Sequence, residues 1–172
     1  ILTSGTAIAQ TIDEGRKLFE YEKYKSAVAV LKQAIAINAQ DINSWYWLTR
    51  AQMAAGNTDS AALLVEQMPA ELKTQPLGKV MQGAVLLNKE DSVTALQLFT
   101  EAIGTKRKKD PAIQLAVANA IIDAPKGNLI RAIEILNQAA DRDKKNTWIH
   151  LSIGDAYRKL YNGSEAVRAY QE

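Results

Sequence analysis

The sequence predicts an all-α solenoid of about five helix–turn–helix units, and two observations carry that prediction. Ala27, Ala61, Ala95, Ala132 and Ala166 stand 34, 34, 37 and 34 residues apart. Four residues after each comes a bulky apolar side chain: Leu31, Val65, Phe99, Leu136 and Tyr170. A period of this length marks stacked helix pairs in which no single unit buries its own apolar face, so each needs its neighbours. The 172 residues are therefore read as one repeat domain over 1–172, with units near 8–41, 42–75, 76–110, 111–146 and 147–172, the last incomplete.

Each unit is justified by local signals. In the first, Gly15 and Leu18 mark one helix, while Tyr24, Ala27, Leu31 and Ala34 share one face of the next. The second opens with Asp41 as N-cap, carries Trp45-x-x-Leu48 and turns at Gly56-Asn57, and Pro69 and Pro76 bracket its exit. The third holds Gly83 and Leu86, then Ala95, Phe99 and Ala102. Three extra residues then enter the period, and the reading assigns them to the basic run Lys106–Lys109. Asp110-Pro111 restarts the pattern as N-cap followed by proline at the first helical position. The fourth unit turns at Gly127-Asn128; the fifth carries Ile153-Gly154-x-x-Tyr157, then Ala166 and Tyr170. A glycine inside a helix costs about 1 kcal/mol relative to alanine. Gly15, Gly83 and Gly154 are expected to be repaid by close approach of the partner helix at Ala27, Ala95 and Ala166.

These residues resemble the tetratricopeptide repeat family, whose signature is Trp-x-x-Leu-Gly-x-x-Tyr in the first helix and Ala-x-x-x-Phe followed by Ala in the second. Trp45 and Leu48 match, with Thr49 in the glycine place. Gly154 and Tyr157 match, with His150 in the tryptophan place, and Ala95-x-x-x-Phe99 with Ala102 is a complete second half. The closing proline is replaced by Ala39, Arg107 and Lys144. The resemblance implies a right-handed superhelix whose first helices line a concave groove, and a protein-binding scaffold as its function.

Composition narrows the alternatives. The formal charge is +2, and setting aside Lys106–Lys109 leaves 17 basic against 19 acidic residues, so nucleic acid is not expected as a partner. That run carries no interleaved aromatics and reads as a solvated loop. No apolar stretch is long enough to span a membrane. With no cysteine, disulfides, thiolate zinc sites and thiol catalysis are absent. His150 is the only histidine and has no companions for a dyad or metal site; Asp141-x-Asp143-x-x-Asn146 lacks the glycine and glutamate of a calcium loop. Asn162-Gly163-Ser164 fits a glycosylation sequon but reads better as a turn. No catalytic, cofactor-binding or metal residue is assigned, and the chain is read as non-enzymatic. At the N-terminus, Ala7-x-Ala9 matches a signal-cleavage pattern, making 1–9 a signal remnant and the chain a periplasmic or cell-envelope protein; alternatively Ile8 and Ala9 simply begin the first helix in a cytoplasmic one.

Helical spacing from Gly15, Leu48, Gly83 and Gly154 places a candidate peptide-binding row on the concave side. It comprises Arg16 and Phe19; Asn43, Tyr46, Arg50 and Met53; Leu77, Val80 and Leu87; Gln114, Val117 and Ile121; then Trp148, Asp155 and Arg158. The row is apolar in the middle with cations near both ends, which suits an apolar or aromatic segment with an acidic flank. The competing reading has Tyr46, Val80 and Val117 packing only against the next unit. In relatives that hold chaperone C-terminal tails, a lysine, asparagine and arginine clamp the terminal carboxylate. Ile12 and Arg16 occupy the first two of those places, which disfavours that partner. Beyond the peptide-binding scaffold, the sequence leaves open a structural segment of a cell-envelope assembly and a regulatory domain of a larger enzyme.

Overall fold

The computed structural model describes residues 4–104 and 109–172, so the Lys106–Lys108 part of the basic run lies outside the described residues. Among those residues the chain is all-α, with five helix pairs and one short extra helix. The pairs are α1 (Ser4–Glu20) with α2 (Tyr24–Ile37), α3 (Ile42–Ala54) with α4 (Thr58–Gln67), α6 (Pro76–Asn88) with α7 (Ser92–Ile103), α8 (Pro111–Asp123) with α9 (Leu129–Ala140), and α10 (Thr147–Lys159) with α11 (Gly163–Gln171). Between the second and third pairs the prolines enclose the one-turn α5 (Ala70–Thr74), an element the periodicity does not announce. First helices stack in order, α1 on α3, α3 on α6, α6 on α8 and α8 on α10, which is the solenoid the ruler predicts. Ala7, Ile8 and Ala9 lie inside α1.

Local chemistry sets these boundaries. The side chain of Asp41 accepts from Ser44 N at 2.7 Å, Asp91 from Thr94 N, Asp110 from Ala112 N, Asn128 from Arg131 N, Asn146 from Trp148 N and Asn162 from Glu165 N. Each cap occupies one of the free N–H groups that open a helix. First helices end alike in four units: the residue in the left-handed region is Glu22, Gly56, Glu90 or Tyr161. The next N–H (Lys23, Asn57, Asp91, Asn162) reaches back to Leu18, Gln52, Leu86 or Tyr157. This is the Schellman closure, and only Gly56 fills it without a Cβ penalty.

The alanines of the ruler are buried throughout, with Ala27, Ala61, Ala95 and Ala132 fully so. The helix-interior glycines, however, chiefly accommodate the bulky residue four places further on, with only the Ala95 carbonyl, 3.2 Å from a Cβ on Gly83, approaching in the way expected of the alanines. A Cβ on Gly15 would lie 2.5 Å from Leu31 Cγ, one on Gly83 2.5 Å from Phe99 Cε1, and one on Gly154 2.1 Å from Tyr170 Cε1. In these three units the bulky residue four places after the alanine sits in the glycine notch as a knob in a socket. The unit with Thr49 in place of glycine carries Val65, the smallest of the five knobs. In these four pairs a smaller knob thus goes with a filled socket and a larger one with a glycine. One apolar core runs through the second to fifth pairs, and a smaller one of Ala27, Leu31, Leu48 and Ala51 joins the first pair to the second.

Two of the three extra residues are placed differently from the sequence reading, and the third falls before Pro111, which stands 35 residues after Pro76. Turns inside the other pairs are three residues long (21–23, 55–57, 89–91, 160–162), whereas Ala124–Asn128 takes five. Counting from the proline that begins each helix, Ala118 therefore corresponds to Gly83. A register slip of two residues turns a helix face by about 200°. That slip misplaced the fourth unit's share of the concave row.

Candidate functional site on the concave face

Gln114, Val117 and Ile121 are fully buried, with Gln114 Nε2 donating to the Ile135 carbonyl at 3.5 Å. They belong to the core, and the residue of α8 that corresponds to Arg50 and Asp155 is Asn119. Val80 is likewise buried between successive first helices, and Tyr46 is a buried member of the same core, so the packing alternative describes all three, with the Tyr46 ring also facing Arg50. Leu77, Leu87 and Met53 are half-buried against the same core. Asn43 is exposed. Asp155 pairs with Arg158 at 3.7 Å and accepts from the Tyr170 hydroxyl at 2.9 Å, away from the rest of the row.

What remains converges on Arg50. Its guanidinium carbon lies 4.7 Å from the ring centre of Phe19, 5.2 Å from Trp47 and 5.8 Å from Tyr46. The rings pack edge-on or tilted: Phe19 on Tyr24 at 5.4 Å, Phe19 on Trp47 at 5.7 Å and Tyr46 on Trp47 at 5.4 Å. The negative ring faces suit a cation, an attraction of about 0.5–2 kcal/mol each. Asp123, at the far end of α8, closes the box: Arg50 Nη2 donates to its Oδ2 at 2.7 Å and Nε at 3.0 Å. The Arg50 side chain is 12% exposed and Asp123 35%. Burial alone would favour losing the Arg50 proton; the facing Asp123 carboxylate and the Tyr46 hydroxyl reverse this and hold the charge firmly. Burial pushes the Tyr46 hydroxyl up from its ordinary value, opposed by Arg50.

The row is thereby bridged by its own chain. Arg50 of the second unit reaches Asp123 of the fourth, and Arg16 of the first lies 5.0 Å over the Trp148 ring of the fifth. Ser152 donates to Asn119 at 2.9 Å, and Lys159 donates to the Ile122 carbonyl. Beneath Arg50, a cavity of about 10 Å³ lined by Tyr46, Thr49, Met53, Val80 and Met81 holds no more than one water. Of the row read from sequence, Arg16, Phe19, Tyr46, Arg50 and Trp148 take part in these contacts, together with Trp47, Asn119 and Asp123, which the row did not include. Counting α8 from Pro111 as α6 is counted from Pro76 brings Asn119 to the Arg50 place; no local signal marks Asp123.

His150 is a structural residue. Its Nε2 donates to the Lys144 carbonyl at 3.1 Å, and Trp45 Nε1 donates to the Ala39 carbonyl at 2.8 Å, six residues back in both cases. Among the described residues no group of His, Asp and Glu could hold a metal ion, and no helix is long and apolar enough to cross a membrane.

A tetratricopeptide repeat family model matches residues 18–81. No curated protein gives a match to the sequence. Among solved structures, a thermophilic tetratricopeptide repeat protein of Thermus thermophilus superposes with a TM-score of 0.61 at 18% identity, covering 95% of this chain and 88% of that one. A protein of nearly identical tetratricopeptide-like repeats from Podosopora anserina superposes with a TM-score of 0.53 at 17% identity, covering 99% and 94%. Residues 18–81 thus match the tetratricopeptide repeat family model, and the chain as a whole has the helical-solenoid fold of the tetratricopeptide repeat structures it resembles.

Proposed function

We propose that the chain is a non-enzymatic scaffold that takes a peptide segment or partner helix on its concave face, centred on Arg50. The observation supporting this is the box itself. An arginine ringed by Phe19, Tyr46 and Trp47 gathers the side-chain types that dominate binding energy at protein interfaces, on the face formed by the first helices. The partner is a segment that offers an apolar or aromatic anchor for the ring edges and an acidic group for the guanidinium. Peptides selected from a displayed dodecapeptide library would be titrated calorimetrically into the wild-type chain and into a Tyr46→Ala/Arg50→Ala variant. Weakening by at least about 1–2 kcal/mol with the helical spectrum intact is expected. Unchanged affinity in the double variant moves the binding surface off the concave face.

A further inference from the structure

The concave face is closed by an ion pair that looks poorly chosen for permanence. Arg50 carries a fixed charge in a setting where water barely reaches it, so it needs an anion at all times. Asp123 supplies one, but with two weaknesses. Both guanidinium bonds go to the same oxygen, Oδ2, instead of spreading over the carboxylate as a two-point fork. Asp123 is also the last residue of α8, where the negative end of the helix dipole works against a carboxylate. With about a third of its surface exposed, it can re-enter water at little cost.

We propose that Asp123 is the chain's own stand-in for the acidic group of a partner, and that an acidic segment binds by exchanging its carboxylate for that of Asp123 on Arg50. This rests on the concave-face reading above and adds what that reading lacks, an account of how a shut face admits a ligand. The incoming carboxylate can meet Nη2 and Nε with both oxygens, free of the helix end that disfavours Asp123. Releasing Asp123 undoes the one ion pair that joins α3 to α8 across the face. The Arg16–Trp148 stacking contact between the first and fifth units is left as the outer bridge. Arg50 never goes without a counter-ion, so the exchange avoids stranding a buried charge.

The test uses dodecapeptides selected separately on the wild-type chain and on Asp123→Asn. Selected peptides should be acidic, should bind Asp123→Asn at least about tenfold tighter because no internal ligand has to leave, and should lose binding in Arg50→Met. A measurement on the wild-type chain guards against misfolding of the variant: the Arg50 Nε–Hε resonance should move as peptide is added. Peptides that depend on Tyr46 and Arg50, bind Asp123→Asn no tighter and leave that resonance still would overturn the exchange while sparing the concave-face reading. Selection of peptides without acidic residues overturns the exchange as well. Binding indifferent to both Tyr46 and Arg50 removes the two together.

Discussion

Inside three of the five helix pairs the decisive contact joins residues sixteen apart, Gly15 to Leu31, Gly83 to Phe99 and Gly154 to Tyr170. Across the concave face it joins residues 73 apart, Arg50 to Asp123, or spans from the first unit to the fifth, Arg16 to Trp148. The first kind recurs with the repeat and is apolar, so its partners are fixed within one unit. The second kind occurs once, is polar or cationic, and depends on how far the stack curves over several units. A repeat protein can therefore hold its interior by rule and its face by exception. The two should respond differently to substitution.

The interior should break hardest. Phe99→Ala removes a ring that is 3% exposed and fills the Gly83 notch, at about 3–5 kcal/mol by urea unfolding. Gly83→Val overpacks the same notch at about 1–3 kcal/mol. Together they should cost clearly less than the sum, because the valine enters space the ring has left. Simple additivity of the two costs would show that knob and socket are not one unit of packing.

How the two regions were legible follows from the same difference. The alanine ruler, the N-caps and the glycine notches could be read because they recur and because their partners lie within one unit. Where the period changed, the reading assigned the three extra residues to the basic run and lost the face of α8. Burial of Gln114, Val117 and Ile121 is the direct consequence. The longer Ala124–Asn128 turn explains it, since that turn lacks the left-handed closure used by the other four. Asp123 could not have been found from its own neighbourhood. A carboxylate ending a helix has no sequence feature that names an arginine two units away.

On the face, the asymmetry of exposure decides which partner matters more. Asp123→Ala strands a guanidinium that is 12% exposed, whereas Arg50→Met leaves a carboxylate that is 35% exposed and can hydrate. Loss of a hydrogen-bonded charge costs about 1–3 kcal/mol, with Asp123→Ala at the upper end and Arg50→Met at the lower. The reverse order by chemical unfolding would mean that Arg50 contributes chiefly by packing on the rings. The same region should be alkali-sensitive. Burial raises Tyr46 above the ordinary 10.0, so its contribution is complete below that value. It is lost as pH rises beyond it, because the unfolded chain releases the proton and the folded chain holds it. Tyr24 and Tyr170 are raised as well, so Tyr46→Phe should reduce, not abolish, the fall in melting temperature between about pH 8 and about pH 11. An unchanged alkaline fall would place Tyr46 in water.

His150 tests whether a substituted signature position still obeys the interior's rule. Its Nε2 bond to Lys144 repeats that of Trp45 to Ala39. His150→Ala should cost about 1 kcal/mol, and His150→Trp should retain the donor and recover most of that loss. If tryptophan is as costly as alanine, the two units are built differently at that corner.

The smallest effect should come from the turns, where the interior's periodicity meets backbone strain. Position for position, Glu22, Gly56, Glu90 and Tyr161 have φ of 58°, 79°, 67° and 56°. A non-glycine residue in this region carries a steric cost of about 1–2 kcal/mol, while glycine gives back part of that through the entropy of the unfolded chain. Tyr161 is 97% exposed, so its ring contributes almost no packing to offset the strain. Tyr161→Gly should therefore stabilise the chain by up to about 1 kcal/mol, and Gly56→Ala should destabilise it by a similar amount. At Glu90 the gain should be nearly the same, since its ion pair with Lys126 joins two exposed side chains and adds little. Thermal melts of the three variants suffice to check the signs. A destabilised Tyr161→Gly would show that the turn is held by its side chain and not by its backbone closure, and the four turns would then no longer count as one repeated device.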